Sequence, residues 1–196
     1  MDISIIATIY SYEPVIASVT KFRANNLYLL IDNKPDETQT NAISEVKKTL
    51  GKYINIELIK TDVYDIVKIA NEAKDLIDKI SKKSRILLNV SAARKTKAFG
   101  LMFAGYARAE KVEKIFYITK EDQSVVFLPK ISFILNKSQK KVLSYFSSNN
   151  SPPQMKEVYH SLNISKSMFY KTLNELEGRG FLFNNQITEA GRIAIL

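Results

Sequence analysis

Four strand-like runs, each followed by a helical pattern, fill the first part of this 196-residue chain, and that alternation leaves it few ways to fold. Residues 3–9 (Ile-Ser-Ile-Ile-Ala-Thr-Ile) are mostly apolar and β-branched, as suits a strand buried on both faces. A helical pattern over 13–24 follows, with Pro14 in the first turn, where its missing N–H costs nothing. The alternation continues with a strand at 27–32, a helix at 36–50 and a strand at 54–60. Residues 63–82 form an amphipathic pattern with Ile66, Ile69, Ala70, Ala73, Ile77 and Ile80 inward. A strand at 85–90 and a helix at 94–110 complete the series, and two short strands, 114–119 and 124–128, flank a turn at 120–123. Successive βα units join by crossovers, so the strands run parallel with helices on both faces. The expectation for residues 1–128 is a Rossmann-like, mostly parallel six-stranded sheet, doubly wound in the order 3-2-1-4, with an antiparallel edge.

Ligands of such sheets sit at the carboxyl ends of the strands. Two of those ends are unusual. The first carries Thr8-Ile9-Tyr10-Ser11-Tyr12, a polar aromatic loop. The second carries Asn89-Val90-Ser91-Ala92-Ala93-Arg94-Lys95-Thr96-Lys97. Small residues there let the backbone approach a ligand, and the opening turn of the next helix presents unpaired N–H groups. Ser91 adds a hydroxyl and Arg94, Lys95 and Lys97 add positive charge, a set that suits phosphodiester oxygens. Asn89 and Ser91 equally suit the capping of the fourth helix, and Tyr10 and Tyr12 the rim of a sheet. The glycine fingerprints of dinucleotide and P-loop sites are absent, which disfavours NAD or ATP.

Residues 137–196 form a different pattern, after an apolar connector at 129–136. Ser138 can cap a helix with Val142, Leu143 and Phe146 at helical spacing; Met155, Val158, Tyr159 and Leu162 mark a second. Ser165 caps a third, whose apolar stripe is Phe169, Leu173 and Leu176. Its opposite stripe, Ser167, Tyr170, Lys171 and Asn174, is free of acids and can donate to phosphates and base edges. Lys166 at its start and Arg179 at its end extend the same basic character. Gly178 and Gly180 end the helix, and Asn184-Asn185 turn a hairpin, because Asn tolerates positive φ. Three helices and a hairpin in this order read as a small α+β winged helix-turn-helix, used for DNA or for protein contacts.

Charge fits anionic partners. The chain carries +9, and residues from Asn136 onward hold eight Lys and Arg against four Asp and Glu, so +4 of it lies there. With no Cys and a single His, His160, disulfides, thiolate metal sites and His-based triads are excluded. No metal site is expected. There is no basic leader and no apolar run near the ~18 residues of a membrane span, so a cytoplasmic protein without membrane contact is expected.

The sheet pattern, the loop Ser91-Ala92-Ala93-Arg94-Lys95 and the C-terminal module together resemble the CRISPR-associated Rossmann-fold (CARF) transcriptional regulators of archaea, of the Csa type. The loop of that family reads Ser-Gly-Gly-x-Arg or a close variant, so alanines stand here in place of glycines. The resemblance implies a homodimer with one pocket across its two-fold axis, a cyclic oligoadenylate ligand, cyclic tetra-adenylate above all, and promoter or operator DNA as a partner in antiviral defence. It implies ligand contacts from Thr8, Tyr10, Ser11 and Tyr12 and from Asn89, Ser91, Ala92, Ala93, Arg94, Lys95 and Lys97, with Asp32 and Asn33 as further candidates. No cofactor is implied. Some relatives of this type are ring nucleases that cleave the ligand without metal; Ser11 and Lys95 would then serve the ring's own 2′-hydroxyl attack.

Overall fold

The computed structural model describes residues 2–128, 135–148 and 155–195. It divides into two units, Met1–Ser132 and Phe133–Leu196. The expected connector, except for Leu135 and Asn136, and the expected turn after Ser148 lie outside the described residues.

The first unit runs β1 (Asp2–Thr8), α1 (Glu13–Phe22), β2 (Asn26–Asp32), α2 (Glu37–Leu50), β3 (Asn55–Thr61), α3 (Ile66–Ile80), β4 (Ser84–Asn89), α4 (Lys95–Ala107), β5 (Val112–Ile118) and β6 (Val125–Leu128). The sheet order is β3-β2-β1-β4-β5-β6, with every neighbouring pair parallel except β5 and β6. It is the Rossmann-like sheet that the alternation predicts. The order reverses beside β1, so the carboxyl ends of β1 and β4 flank the crevice typical of such sheets.

Strand alternation assigns the two faces. Ile5, Ala7 and Ile9 pack with Val15 and Val19 of α1 and with Ala42, Ile43 and Val46 of α2. On the other face α4 lies so close to the sheet that a Cβ at Gly105 would sit 2.5 Å from Leu88 Cδ1. A Cβ at Gly100 would sit 2.5 Å from Ile69 Cγ2 and 2.7 Å from its Cβ, so this glycine sets the distance between α3 and α4. Helix α3 buries Ile69, Ala70, Ala73, Leu76, Ile77 and Ile80. Leu76 thus joins the expected stripe, while Ile66 stays half-buried in the first turn.

Helix α3 starts later than its apolar pattern suggests. The Asp62 carboxylate accepts from the backbone N–H groups of Val63, Tyr64 and Asp65 at 2.6, 3.0 and 3.1 Å, which holds those residues in a turn. Asp65 then caps the helix by accepting from Lys68 N at 2.9 Å. The donors from Asp65 and Tyr64, foremost, hold the Asp62 carboxyl down to about 2.

The second unit comprises α5 (Lys137–Ser148), α6 (Met155–Ser161), α7 (Lys166–Gly178), β7 (Leu182–Phe183), β8 (Gln186–Ile187) and α8 (Glu189–Ala194). Val142, Leu143 and Phe146 meet Val158, Phe169, Leu173, Leu176 and Leu182 in one core. The cap of α5 is Asn136, not Ser138: Asn136 Oδ1 accepts from Gln139 N at 2.9 Å, and Gln139 Oε1 accepts from Asn136 N at 3.1 Å. This reciprocal box satisfies two end groups, where Ser138 would satisfy one. Ser165 caps α7 as expected, accepting from Met168 N at 3.2 Å. Asn184 and Asn185 turn the β7–β8 hairpin at φ 48° and 58°.

Two outcomes follow from this packing. Gly100→Ala should lower stability by about 1–3 kcal/mol despite its gain in helix propensity, because Ile69 must move, whereas Gly178→Ala, with open space around it, should raise stability by about 0.5–1 kcal/mol; urea unfolding of each variant checks both signs. The lowered Asp62 carboxyl stabilises the fold above its unfolded value near ~3.9, and that contribution fades as pH falls toward about 2. NMR titration should place its midpoint near about 2, and Asp62→Asn should remove this part of the acid sensitivity.

Candidate functional site

The crevice is organised from below by buried polar residues. Asn89, wholly buried at the end of β4, donates from Nδ2 to Pro14 O at 3.1 Å and accepts from Ser91 N at 3.0 Å and from the Ser91 hydroxyl. Ser91 Oγ in turn accepts from Ile118 N at 2.7 Å. These bonds clip the β4–α4 loop to α1 and β5. Neither side chain caps α4, whose N-cap residue is Arg94 with no side-chain bond to the helix. Thr8 and Ala92 are buried beside this clip.

A second layer carries charge. Lys97, in the first turn of α4, has only 1% of its side chain exposed and places Nζ 2.6 Å from Asp32 Oδ1 at the end of β2. Burial lowers the Lys97 pKa, against the opposing pull of Asp32. Lys97 is therefore a buried ion-pair partner beneath the crevice, where the sequence suggests a cation open to ligand. Gln39, also buried, accepts from Asp32 N at 2.9 Å and donates to Ile9 O at 2.9 Å, joining α2 to the β1–α1 loop.

Above the pair lies Arg94. Its Nε is 3.5 Å from Asp32 Oδ2, and NH2 is 3.4 Å from Asp36 Oδ2 and donates to Tyr10 Oη at 3.3 Å. The guanidinium carbon sits 5.1 Å from the centre of the Tyr10 ring. The Tyr10 hydroxyl donates a short hydrogen bond to Asp36. That bond raises the Tyr10 pKa and is the foremost cause of the lowered Asp36 carboxyl. Asp36 also caps α2, accepting from Gln39 N at 2.9 Å. Sequence reasoning missed Asp36 and Gln39; their Asp-x-x-Gln spacing at the start of a helix is a capping signature and was the available signal.

What remains open is the start of α4. Among the described residues, the N–H groups of Lys95 and Thr96 have no acceptor within the chain. The Lys95 side chain is exposed beside them, whereas the Thr96 hydroxyl is occupied, donating to Val63 O at 2.6 Å. Tyr10, Ser11, Ala93 and Arg94 are partly exposed, and Tyr12 and Asn33 are exposed. Ser11 makes no hydrogen bond among the described residues. Uncapped N–H groups, the helix dipole and two cations form a site for an anion, and the tyrosine rings offer faces for an aromatic group.

In the second unit, Lys166, Ser167, Tyr170, Lys171 and Asn174 are all exposed on α7, opposite the buried Phe169, Leu173 and Leu176. Arg179, past the end of α7, lies 4.6 Å from the centre of the Phe181 ring. His160 is exposed on α6 and stacks obliquely on Tyr159 at 4.7 Å. Among the described residues, no three His, Asp or Glu side chains group as a metal site, and no helix is long and apolar enough to cross a membrane.

The structure is similar to that of Can2 from Sulfobacillus thermosulfidooxidans, solved in complex with cyclic tetra-adenylate, with a TM-score of 0.53 at 11% identity over 97% of this chain and 62% of that one. It is similar to Enterococcus italicus Csm6, bound to cyclic hexa-2′-fluoro-hexa-dAMP, with a TM-score of 0.52 at 10% identity over 94% and 56%. The protein VC1899 from Vibrio cholerae gives 0.52 at 13% identity over 98% and 64%. At these identities the likeness shows the fold, and the chain spans less than two thirds of each of those proteins. No curated protein sequence matches the chain. A family described as HFX_2341_N:-like, N-terminal, matches residues 2–123, which is more than half of the sequence. The chain, through this first unit, belongs to the HFX_2341_N:-like family.

Proposed function

We propose that the first unit is a CARF sensor for a cyclic oligoadenylate, cyclic tetra-adenylate in particular, and that the second is a winged helix-turn-helix that binds DNA. The chain is then a ligand-responsive transcriptional regulator. One observation carries the sensor reading: the uncapped start of α4, with Arg94 and Lys95, lies at the crevice of the sheet beside Tyr10 and Tyr12. Phosphates of the ring accept from the Lys95 and Thr96 N–H groups and from the two cations, while tyrosine faces stack on bases. Thr8, Asn89, Ala92 and Lys97 shape the loops from beneath. The cyclic oligonucleotides in the Can2 and Csm6 structures support this ligand class. A two-fold ring suits one site shared by two copies of the chain.

The exposed face of α7 supports the DNA reading. It presents Lys166, Ser167, Tyr170, Lys171 and Asn174 without an acid among them, beside a hairpin that serves as the wing. Ligand acts on DNA binding only through its differential affinity for the DNA-competent state.

Calorimetric titration with cyclic tetra-adenylate should saturate at one ring per two chains; no binding at micromolar ring overturns the sensor reading. Asp36→Asn keeps the α2 cap but releases Arg94 and Tyr10 from a carboxylate, so it should tighten ring binding about two- to fivefold. In the second unit, Tyr170→Ala with Lys171→Ala should weaken binding to random-sequence duplex DNA and reduce the slope of log K against log salt by about 1. Unchanged binding and slope would remove α7 as the DNA-reading helix.

A further inference from the structure

A groove of about 320 Å³ opens beside the anion site, between the β1–α1 loop and α2. Tyr10, Tyr12 and Glu13 line it from the loop side, and Thr38, Asn41 and Glu45 from α2. Its volume lies at the lower end of small-molecule sites, about 300–1,000 Å³. No Lys or Arg lines it, although the chain carries +9. The groove therefore disfavours the phosphates that the neighbouring helix start attracts. Its polar groups are acceptors or can act as acceptors. The Asn41 carboxamide makes no hydrogen bond among the described residues. Glu45 has Lys48 Nζ at 3.9 Å, beyond hydrogen-bond distance, and its side chain is 46% exposed.

Tyr10 joins the two places. Its ring lies beside the Arg94 guanidinium at the anion site, and the same residue lines the groove. A ligand with a phosphate at the start of α4 would carry its next flat, uncharged group toward these aromatic and acceptor side chains. Adenine offers an exocyclic N6 amine as donor and N7 as acceptor, a pair that an Asn carboxamide matches with two bonds. A carboxylate accepts from the same amine and repels an oxo group in that position.

We propose that this groove is a base subsite that selects a nucleobase bearing an exocyclic amine, with Asn41 and Glu45 as the specificity-determining residues. The inference rests on the cyclic oligoadenylate reading and adds to it the rejection of oxo bases.

The test compares cyclic tetra-adenylate with the ring carrying inosine in place of adenosine, which exchanges the amine for an oxo group and leaves the phosphates alone. The full chain should bind the inosine ring roughly ten- to hundredfold more weakly. Glu45→Gln should narrow that gap severalfold and leave the share set by Asn41, since a carboxamide donates to an oxo group as readily as it accepts from an amine. Asn41→Ala should weaken the adenosine ring more than the inosine ring. Equal binding of both rings by the unaltered chain overturns the base subsite and leaves the anion site standing. Full discrimination retained by Glu45→Gln overturns the role of Glu45. If neither ring binds, the subsite falls together with the ligand class on which it rests.

Discussion

The Asp32–Lys97 ion pair is the interaction on which the crevice depends. Both side chains are withdrawn from water, with 5% and 1% exposed, at a separation of 2.6 Å. A charge buried in this way is tolerated only with its partner in place, and loss of either leaves the other uncompensated at a cost of about 3–5 kcal/mol. The pair joins the end of β2 to the first turn of α4, two points far apart in sequence and brought together by the strand order. Gln39 widens the connection by bonding both to Asp32 and to the β1–α1 loop. Three loops are thus referred to one buried point.

Arg94 occupies the layer above and has a divided environment. Asp32 and Asp36 offset its charge, while Tyr10 supplies both an acceptor and a ring face. An anion entering at the start of α4 meets a cation already partnered, so part of the attraction goes to exchanging one partner for another. Lys95 and the free N–H groups carry no such exchange. The site therefore divides its positive potential between a fixed part, set by backbone, and a competitive part, set by side chains.

Much of the architecture was legible in the sequence because its determinants are local. Strand and helix periods alternate clearly, crossover connections make the strands parallel, and Ser165 and Asn184-Asn185 declare a cap and a turn by their own chemistry. What was not legible depends on partners remote in sequence. A lysine in the first turn of a helix looks the same whether it faces water or an aspartate from another strand, and only folding sets Lys97 against Asp32. Asn89 and Ser91 offered capping as one reading, yet their atoms engage Pro14 and Ile118, partners remote in sequence, and neither caps α4. The start of α3 was misplaced because Asp62 holds three N–H groups outside the helix, a local competition that apolar periodicity does not register.

Helices α3 and α4 are fastened to each other along their length. Thr96 of α4 donates to Val63 O in the turn before α3, Gly100 admits Ile69 in the middle, and Asp78 of α3 accepts from Arg108 and Lys111 just past the end of α4. A single helix of this length can bend or slide in response to a load at its tip. Two helices packed in the middle and tied through their flanking residues at both ends resist this as a pair, because bending one would require stretching contacts to the other. Arg94 sits at the tip of that pair. A load applied at Arg94 would therefore be shared by both helices, a layer about 20 Å long at 1.5 Å per residue, and not by one turn of α4 alone.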